Sequence, residues 1–207
     1  VGILGENGIG KTTFVRILAG EIKGHELSGL KISYKPQYLE PNDELVLNFI
    51  QEAIMKYEVQ LIRPLDLKEL FMRKLNELSG GELQRVMIAK CLSQDSDLIL
   101  MDEPSAYLDI EQRLRLGKII RDMLNLTARS ALIVDHDLLF VDTISDRLIV
   151  FDGKPAVHGT VKGPFPMEEG MNHFLQNIEL TFRRDEESKR PRINKPGSQK
   201  DQEQKRS

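Results

Sequence analysis

The stretch GENGIGKTT, residues 5–13, comes directly after the short apolar run VGIL (residues 1–4) and opens a helical pattern that ends at Gly20. It fits the pattern G-x-x-x-x-G-K-[ST], in which glycines let backbone N–H groups turn inward. Those N–H groups, together with the positive end of the following helix, can surround phosphate oxygens. A strand, a glycine-rich loop and a helix in this order predict an α/β fold with a phosphate-binding site.

Two side chains of this loop have specific predicted tasks. The Lys11 ammonium should reach the β- and γ-phosphates of a nucleotide, and the Thr12 hydroxyl should bind Mg²⁺. A glycine-rich turn with a chance lysine is the plain alternative, and the flanking strand and helix argue against it. The predicted nucleotide-binding residues of the loop are Gly5, Glu6, Asn7, Gly8, Gly10, Lys11, Thr12 and Thr13.

Short apolar runs recur along the chain, and they are apolar on both faces, as in a parallel sheet covered by helices on each side. Helical patterns lie between them. This alternation predicts an α/β fold, with a phosphate-loop nucleotide triphosphatase core whose parallel sheet is flanked by helices. The runs are VGIL (1–4), KISY (31–34), LILM (98–101), ALIV (131–134) and LIVF (148–151).

One segment interrupts the alternation. Residues 45–78 contain two helical patterns and no strand pattern. We therefore predict an inserted helical subdomain over residues 40–95. The first pattern consists of Val46, Ile50, Ile54 and Tyr57, and the second of Leu67, Leu70 and Phe71.

A pair of acidic residues follows one of the apolar runs. The sequence LILMDEP (98–104) reads as a buried strand that ends in Asp102 and Glu103. Carboxylates at the carboxyl end of a parallel strand face the ligand crevice. Asp102 should hold Mg²⁺, mainly through water, and Glu103 should orient or deprotonate an attacking water. An exposed acidic turn is the alternative, which the phosphate loop disfavours.

A second anion site is predicted at LSGGELQR (78–85). Ser79, Gly80 and Gly81 precede a helix whose first turn has free N–H donors, and Glu82 completes the motif. Because one nucleotide cannot readily use both this turn and the phosphate loop of one domain, we predict two domains arranged head to tail. Ordinary helix capping is the alternative.

Composition limits the class of protein. The 207 residues carry a net charge of −3, but residues 183–207 contain nine Lys and Arg against five Asp and Glu. That segment has one aliphatic residue, Ile193, so we predict an extended or disordered basic arm. The single cysteine, Cys91, excludes a disulfide framework and an iron–sulfur cluster held by this chain alone. No apolar run is long enough for a membrane span.

Together these motifs resemble an ATP-binding cassette domain, and they occur in that family's order over residues 1–151. The resemblance rests on the three motifs above and on YKPQ (34–37), SAYLD (105–109) and VDHD (134–137). It implies that Gln37 senses the γ-phosphate and Mg²⁺, that Asp109 lies at the seam of a cassette pair, and that His136 contacts the γ-phosphate. It thus implies Glu103, His136 and Gln37 as catalytic residues, and Thr12, Gln37 and Asp102 as the metal site.

A narrower resemblance covers the whole chain. LSGGELQRV (78–86), DEPSAYLDIEQR (102–113), GMNHFL (170–175) and RPRINKPGS (190–198) are similar to the second cassette and C-terminal segment of ribosome-recycling ATPases of the ribonuclease L inhibitor family. The resemblance implies a cassette domain over 1–166 and a C-terminal helix with a basic hinge segment over 167–207. The family usually has Glu before its switch histidine, where this chain has Asp135.

The family implies an ATPase that splits ribosomal subunits after termination, with links to initiation and ribosome biogenesis. The implied cofactors are ATP and Mg²⁺, with iron–sulfur clusters only in a domain upstream of this chain. The implied partners are the first cassette of the same protein, ribosomal subunits and rRNA, and termination and initiation factors, with no membrane. The implied location is the cytoplasm, with the nucleus as a second one.

Two other functions fit the cassette motifs. The first is the energy-coupling ATPase subunit of a membrane transporter, and the second is a regulatory module that binds nucleotide without turnover; Glu103 argues against the second. Because Val1 falls inside the first predicted strand, we expect the chain to be part of a longer protein.

Overall fold

The computed structural model describes residues 1–22, 29–154, 158–177, 182–184 and 191–193. The fold is mixed α/β with a six-stranded, mostly parallel sheet flanked by helices, as the sequence predicts. The chain divides into two compact units, one of residues 1–11 and 136–207 and the other of residues 12–135. The strands are β1 (Gly2–Gly5), β2 (Ile32–Lys35), β3 (Leu98–Asp102), β4 (Ser130–Val134), β5 (Arg147–Lys154), β6 (His158–Pro166), β7 (Phe182–Arg184) and β8 (Pro191–Ile193). The α-helices are α1 (Lys11–Leu18), α2 (Val46–Phe49), α3 (Gln51–Lys56), α4 (Gly80–Ser93), α5 (Ile110–Thr127), α6 (Leu138–Ile144) and α7 (Met167–Asn177).

In the unit of residues 12–135, β2 pairs with β3 and β3 with β4, all parallel. β3 is the central strand, and its side chains from Ile99 to Asp102 are buried on both faces. The carboxyl ends of the three strands lie side by side, with Lys35 opposite Met101 and Asp102 opposite Val134. Residues that follow these strands therefore share one edge of the sheet.

In the other unit, β1 pairs parallel with β5, and β5 pairs antiparallel with β6. Leu4 and Leu148 pack with α6 and α7 in one apolar cluster, to which Val141, Met171 and Leu175 contribute. The sequence did not predict β6, because its residues are largely polar or glycine and exposed, and strand periodicity is weak in such a segment.

The helical segment between β2 and β3 differs from the prediction. The first predicted helical pattern forms α2 and α3. The second predicted helix, around Leu67 and Leu70, is wrong, because short 3₁₀ turns occupy Lys68–Leu70 and Leu75–Glu77 after a π-helical turn at Glu58–Ile62. Leu67 and Leu70 are nevertheless buried, so the apolar pattern correctly indicated which side chains are buried, but not the type of helix.

Two helix boundaries agree with their sequence signals. Gly20, beyond the end of α1, has φ +78°, and the N–H of Glu21 reaches back to the carbonyl of Arg16. In the sequence, Gln112 stands three residues after Asp109, a spacing typical of a capping box, and Asp109 caps α5 by accepting from the N–H of Gln112 at 2.8 Å. In the basic C-terminal segment, β7 and β8 pair antiparallel, and its other residues lie outside the described ranges. The predicted domain boundary at residue 166 stays a prediction.

Over the described residues, no helix has the length and apolar character that crossing a membrane requires.

Candidate functional site

The phosphate loop joins β1 to α1, and its lysine is enclosed. Lys11 is 6% exposed, and its ammonium donates to the carbonyls of Gly5 at 2.7 Å and Glu6 at 2.8 Å. Gly8 and Gly10 have φ values of +76° and +102°, which residues with a Cβ rarely adopt. A loop with such glycines and an enclosed cation is suited to an anion such as phosphate.

Both ends of this loop are constrained. A Cβ on Gly5 would lie 2.7 Å from Phe151 Cβ and 2.9 Å from the carbonyl oxygen of Phe151, so only glycine fits where β1 passes β5. Thr12 is half-buried and Thr13 exposed in the first turn of α1, where backbone N–H groups lack partners within the helix. Glu6 and Asn7 are exposed.

The end of β3 carries the two predicted acidic residues in different environments. Asp102 is fully buried, whereas Glu103 is half-buried and has φ +49°. The N–H of Glu103 donates to the carbonyl of Val134 at 2.7 Å. The left-handed backbone turns the chain sharply after the strand, so Asp102 and Glu103 differ in direction as well as in burial.

Two buried side chains bond the main chain of these acids. The Lys35 ammonium donates to the carbonyls of Asp102 at 2.8 Å and Glu103 at 3.3 Å. The Gln84 amide, from α4, donates to the carbonyl of Glu103 at 2.6 Å. Burial lowers the pKa of Lys35 to about 8, although the nearby Asp102 and Asp135 carboxylates favour its charged form.

Asp135 holds the loop that follows Glu103. Its carboxylate accepts from the N–H of Ser105 at 3.0 Å and from the Ser105 hydroxyl at 2.7 Å. Both residues are buried. The Asp135 carboxylate therefore contacts Ser105 through both of its oxygens.

The serine–glycine turn begins α4 with a reciprocal cap. The N–H of Ser79 donates to the Glu82 carboxylate at 2.7 Å, and the N–H of Glu82 donates to the Ser79 hydroxyl at 3.3 Å. The bond from the Ser79 N–H lowers the pKa of Glu82. Arg73 also donates to Glu82, at 2.9 Å. Ser79 is exposed at the first turn, which keeps the N-terminus of α4 open to an anion.

The two glycines of this turn are close to Tyr107. A Cβ on Gly80 would lie 3.1 Å from the Tyr107 ring, and one on Gly81 would lie 3.0 Å from the Tyr107 carbonyl oxygen. Tyr107 has φ +63° and is 65% exposed. It lies two residues before the exposed Asp109, so the turn and the predicted seam residue belong to neighbouring segments.

The remaining predicted residues also follow strands. Gln37 is half-buried two residues after β2, and His136 is exposed two residues after β4. Gln37 therefore shares the sheet edge with Asp102 and Glu103, and His136 follows Asp135 directly. The structure brings Glu103 into contact with α4, and it brings the serine–glycine turn against Tyr107.

Sequence reasoning assigned no role to Lys35, Gln84 or Tyr107. A signal was present for the first two: Lys35 is a charged residue at the end of a predicted strand, and Gln84 is a polar residue within an apolar helix face. Their partners are backbone carbonyls, which no sequence pattern specifies.

The donor set suits a magnesium ion. The Thr12 hydroxyl, the Asp102 carboxylate and the Gln37 amide all offer hard oxygen donors. Asp102 is fully buried, and a nearby cation stabilises the charged form of a buried carboxylate. No group of three or more His, Cys, Asp or Glu side chains among the described residues could hold a metal. Mg²⁺ would therefore depend on phosphate and water oxygens as well, as it usually does.

Similarity to known proteins agrees with this geometry. The family model described as ABC transporter matches residues 1–106. An uncharacterized ABC transporter ATP-binding protein of Methanocaldococcus jannaschii is 50% identical over 97% of this chain and 35% of its own length. The translation initiation factor RLI1 of Chaetomium thermophilum is 42% identical over 98% of this chain and 35% of its own. The chain thus spans about a third of the length of these relatives.

A solved structure described as a model of ribosome-bound archaeal Pelota and ABCE1 is similar at a TM-score of 0.92 and 47% identity. It covers 99% of this chain and 36% of the structure's own chain. The phosphate loop, the acidic end of β3 and the serine–glycine turn all lie within residues 1–106, which the family model matches. The chain is therefore a member of the ATP-binding cassette family, in which it matches the RLI1 and ABCE1 proteins, also called RNase L inhibitor, over nearly its whole length.

Proposed function

We propose that this chain is the second ATP-hydrolysing cassette of a twin-cassette protein that splits ribosomal subunits. The observation that carries the proposal is the end of β3, where a buried Asp102 precedes a Glu103 whose main chain is bonded on both sides. Such a pair suits one acid to hold a metal and the next to act on water. The ATPase activity is that expected of the family.

In this proposal, different residues bind the phosphates, hold the metal and act on water. Lys11 and the backbone N–H groups of the phosphate loop bind the β- and γ-phosphates, and Thr12, Gln37 and Asp102 hold Mg²⁺. When bound, Mg²⁺ neutralises charge on the phosphate oxygens. Glu103 orients the attacking water or accepts its proton, and His136 helps to hold that water. Ser79 and the first turn of α4 bind the γ-phosphate of the nucleotide held by the other cassette, with Asp109 at the seam.

Ribosome recycling is supported by the relatives. A solved structure of the complex of archaeal ribosomal stalk protein aP1 and archaeal ribosome recycling factor aABCE1 matches the whole chain at 47% identity. RLI1 proteins carry the name translation initiation factor. We infer ribosomal subunits, rRNA, and termination and initiation factors as partners, and the cytoplasm, with the nucleus, as location. Iron–sulfur clusters would belong to another domain of the full protein.

A transporter subunit is the second candidate, since the zinc import ATP-binding protein ZnuC of Ehrlichia chaffeensis is 31% identical over 72% of this chain. It is the weaker candidate, because the RLI1 relatives reach higher identity and cover the C-terminal segment as well.

The test of ATP hydrolysis uses the longer twin-cassette protein, with the catalytic carboxylate of its first cassette replaced by the amide, so that turnover reports on this cassette. Glu103→Gln should then lower the remaining turnover about 10²- to 10⁴-fold, to a small residual rate, while leaving MgATP binding intact, because the amide keeps the shape of the side chain but cannot accept the proton. Unchanged turnover would refute the role of Glu103. Co-sedimentation with ribosomal subunits in the presence of a non-hydrolysable ATP analogue tests the second part; co-purification with a membrane protein instead would favour the transporter.

A further inference from the structure

The carbonyl of Glu103 is bonded by two side chains from two different elements. Gln84 Nε2, on α4, lies 2.6 Å from this oxygen, and Lys35 Nζ, at the end of β2, lies 3.3 Å from it. Gln84 is 4% exposed and Lys35 is 1% exposed. Two buried polar side chains thus donate hydrogen bonds to the main chain of the residue proposed to act on water.

The conformation of Glu103 explains why such support is needed. A left-handed backbone is unfavourable for a residue with a Cβ and persists only where its surroundings hold it. Here the N–H is bonded to Val134, and the carbonyl accepts from Gln84 and Lys35 as well as from the Ala106 N–H at 3.3 Å, so the peptide groups on both sides of the Glu103 Cα are fixed. These two peptide planes fix the direction of the Cα–Cβ bond, and therefore the side from which the Glu103 side chain extends.

Neither side chain has an evident packing task that an apolar residue could not perform. Among the residues that the structure describes, Lys35 is the bulkiest fully buried side chain, and burying an ammonium is costly unless it is paired. Its partners are the carbonyls of Asp102 and Glu103, the two acids of the site. Ser33, on the same strand and equally buried, instead bonds Cys91 and Gln94, away from the acids.

We propose that Lys35 and Gln84 are positioning residues that fix the main chain of Glu103 and so aim its carboxylate at the attacking water. The inference rests on the proposed role of Glu103. Gln84 lies on the helix that begins at the serine–glycine turn, so the same hydrogen bond joins the catalytic acid of this cassette to the turn that serves the other nucleotide.

The experiment replaces each donor by an apolar side chain of similar length, Lys35→Met and Gln84→Met, in the twin-cassette protein whose first cassette is inactivated. Misplacing a catalytic group by about 1 Å costs on the order of 100-fold, so kcat should fall about 10- to 100-fold while the KM for ATP changes less than about 3-fold. Ser33→Ala and Ser93→Ala are the controls; they remove buried hydroxyls from β2 and α4 that do not bond Glu103, and should leave kcat unchanged.

A double-mutant cycle separates positioning from general structural damage. If Lys35 and Gln84 act through the Glu103 carboxylate, their substitution should lower kcat no further once Glu103→Gln is present. An equal further loss in that background, or an unchanged kcat in the single variants, would overturn the inference. If Lys35→Met reduces the yield of folded protein, Gln84→Asn tests the same carbonyl, because it keeps the amide on a shorter arm and should lower kcat less than Gln84→Met. Full turnover in Glu103→Gln alone would instead refute the proposed function.

Discussion

The phosphate loop and the serine–glycine turn both depend on glycine, but for different physical reasons. Gly10 has φ +102°, and a Cβ built on it meets no atom within 4 Å. Gly81 lies in the first turn of α4 without a left-handed φ, and a Cβ there would lie 3.0 Å from the Tyr107 carbonyl oxygen. One position needs glycine for its backbone angle and the other for space, so substitutions at the two should fail in different ways.

The largest effect is expected for Gly10→Ala. A residue with a Cβ at this φ costs about 1–3 kcal/mol, and the loop can relieve the strain only by turning its N–H groups away from the phosphates. The affinity for MgATP should therefore fall about 10- to 100-fold, measured by titration of the chain with a fluorescent ATP analogue.

Gly20→Ala is the matched control for Gly10→Ala. Gly20 also has a left-handed φ and open space around a Cβ, but it terminates α1 at the far end from the phosphate loop. It should lower the free energy of unfolding without changing the affinity for nucleotide. If both variants lost affinity equally, backbone strain at either end of α1 would weaken binding, and Gly10 would have no specific role in the phosphate loop.

Gly81→Ala should have the next largest effect, and on stability rather than on nucleotide affinity. Overpacking costs about 1–3 kcal/mol, and the better helix propensity of alanine recovers up to about 1 kcal/mol, so we expect a net loss of about 1–2 kcal/mol. The close atom belongs to the main chain of Tyr107, which cannot rotate away. Urea unfolding of the chain measures the loss, and wild-type stability would show that the loop after Glu103 moves freely.

Prediction from the sequence succeeded where a local feature depends on the type of residue at a given position. The strands with apolar side chains on both faces were located to within a residue or two at their amino ends, and the capping signal at Asp109 has its expected partner. Ser79 caps α4, which is the alternative to the predicted anion site, and that site stays a prediction. The left-handed glycine that ends α1 also followed from its type. Each of these features is encoded within a few neighbouring residues.

Prediction failed where a long-range contact decides. The apolar residues near Leu67 were spaced as in a helix, but this segment is pinned by main-chain bonds such as that from the Val46 N–H to the Arg73 carbonyl, and a regular helix does not form. Lys35 and Gln84 bond carbonyls 67–68 and 19 residues away in sequence, so no local pattern identifies their targets. The acids of the site could be predicted; the residues that hold them could not.

The serine–glycine turn also has a side-chain cap at Ser79. The residue before α1 is Gly10, which has no side chain that could cap the helix. Ser79→Ala measures the contribution of the cap to stability. The Ser79 hydroxyl accepts one N–H of α4 at 3.3 Å, a long bond, while the reciprocal bond to the Glu82 carboxylate remains in the variant. The free energy of unfolding should fall by about 0.5–1 kcal/mol, at the low end of N-cap losses. Asp109→Ala, which removes a 2.8 Å cap from α5, is the comparison and should cost more. The reverse order would mean that Ser79 contributes more than its hydrogen bond to Glu82.

The smallest effect is expected for Gly80→Ala, and it distinguishes the ring of Tyr107 from its main chain. A Cβ on Gly80 would lie 3.1 Å from the ring, and because Tyr107 is 65% exposed, we expect a change of its χ1 angle to carry the ring toward solvent. The free energy of unfolding should therefore change by no more than about 0.5 kcal/mol, as for most surface substitutions. In a Tyr107→Ser background, which removes the ring but keeps the carbonyl, Gly80→Ala should cost nothing while Gly81→Ala keeps its cost. If Gly80→Ala is as destabilising as Gly81→Ala in the wild-type background, the ring is fixed in place, and Tyr107 holds the turn through its side chain as firmly as through its backbone.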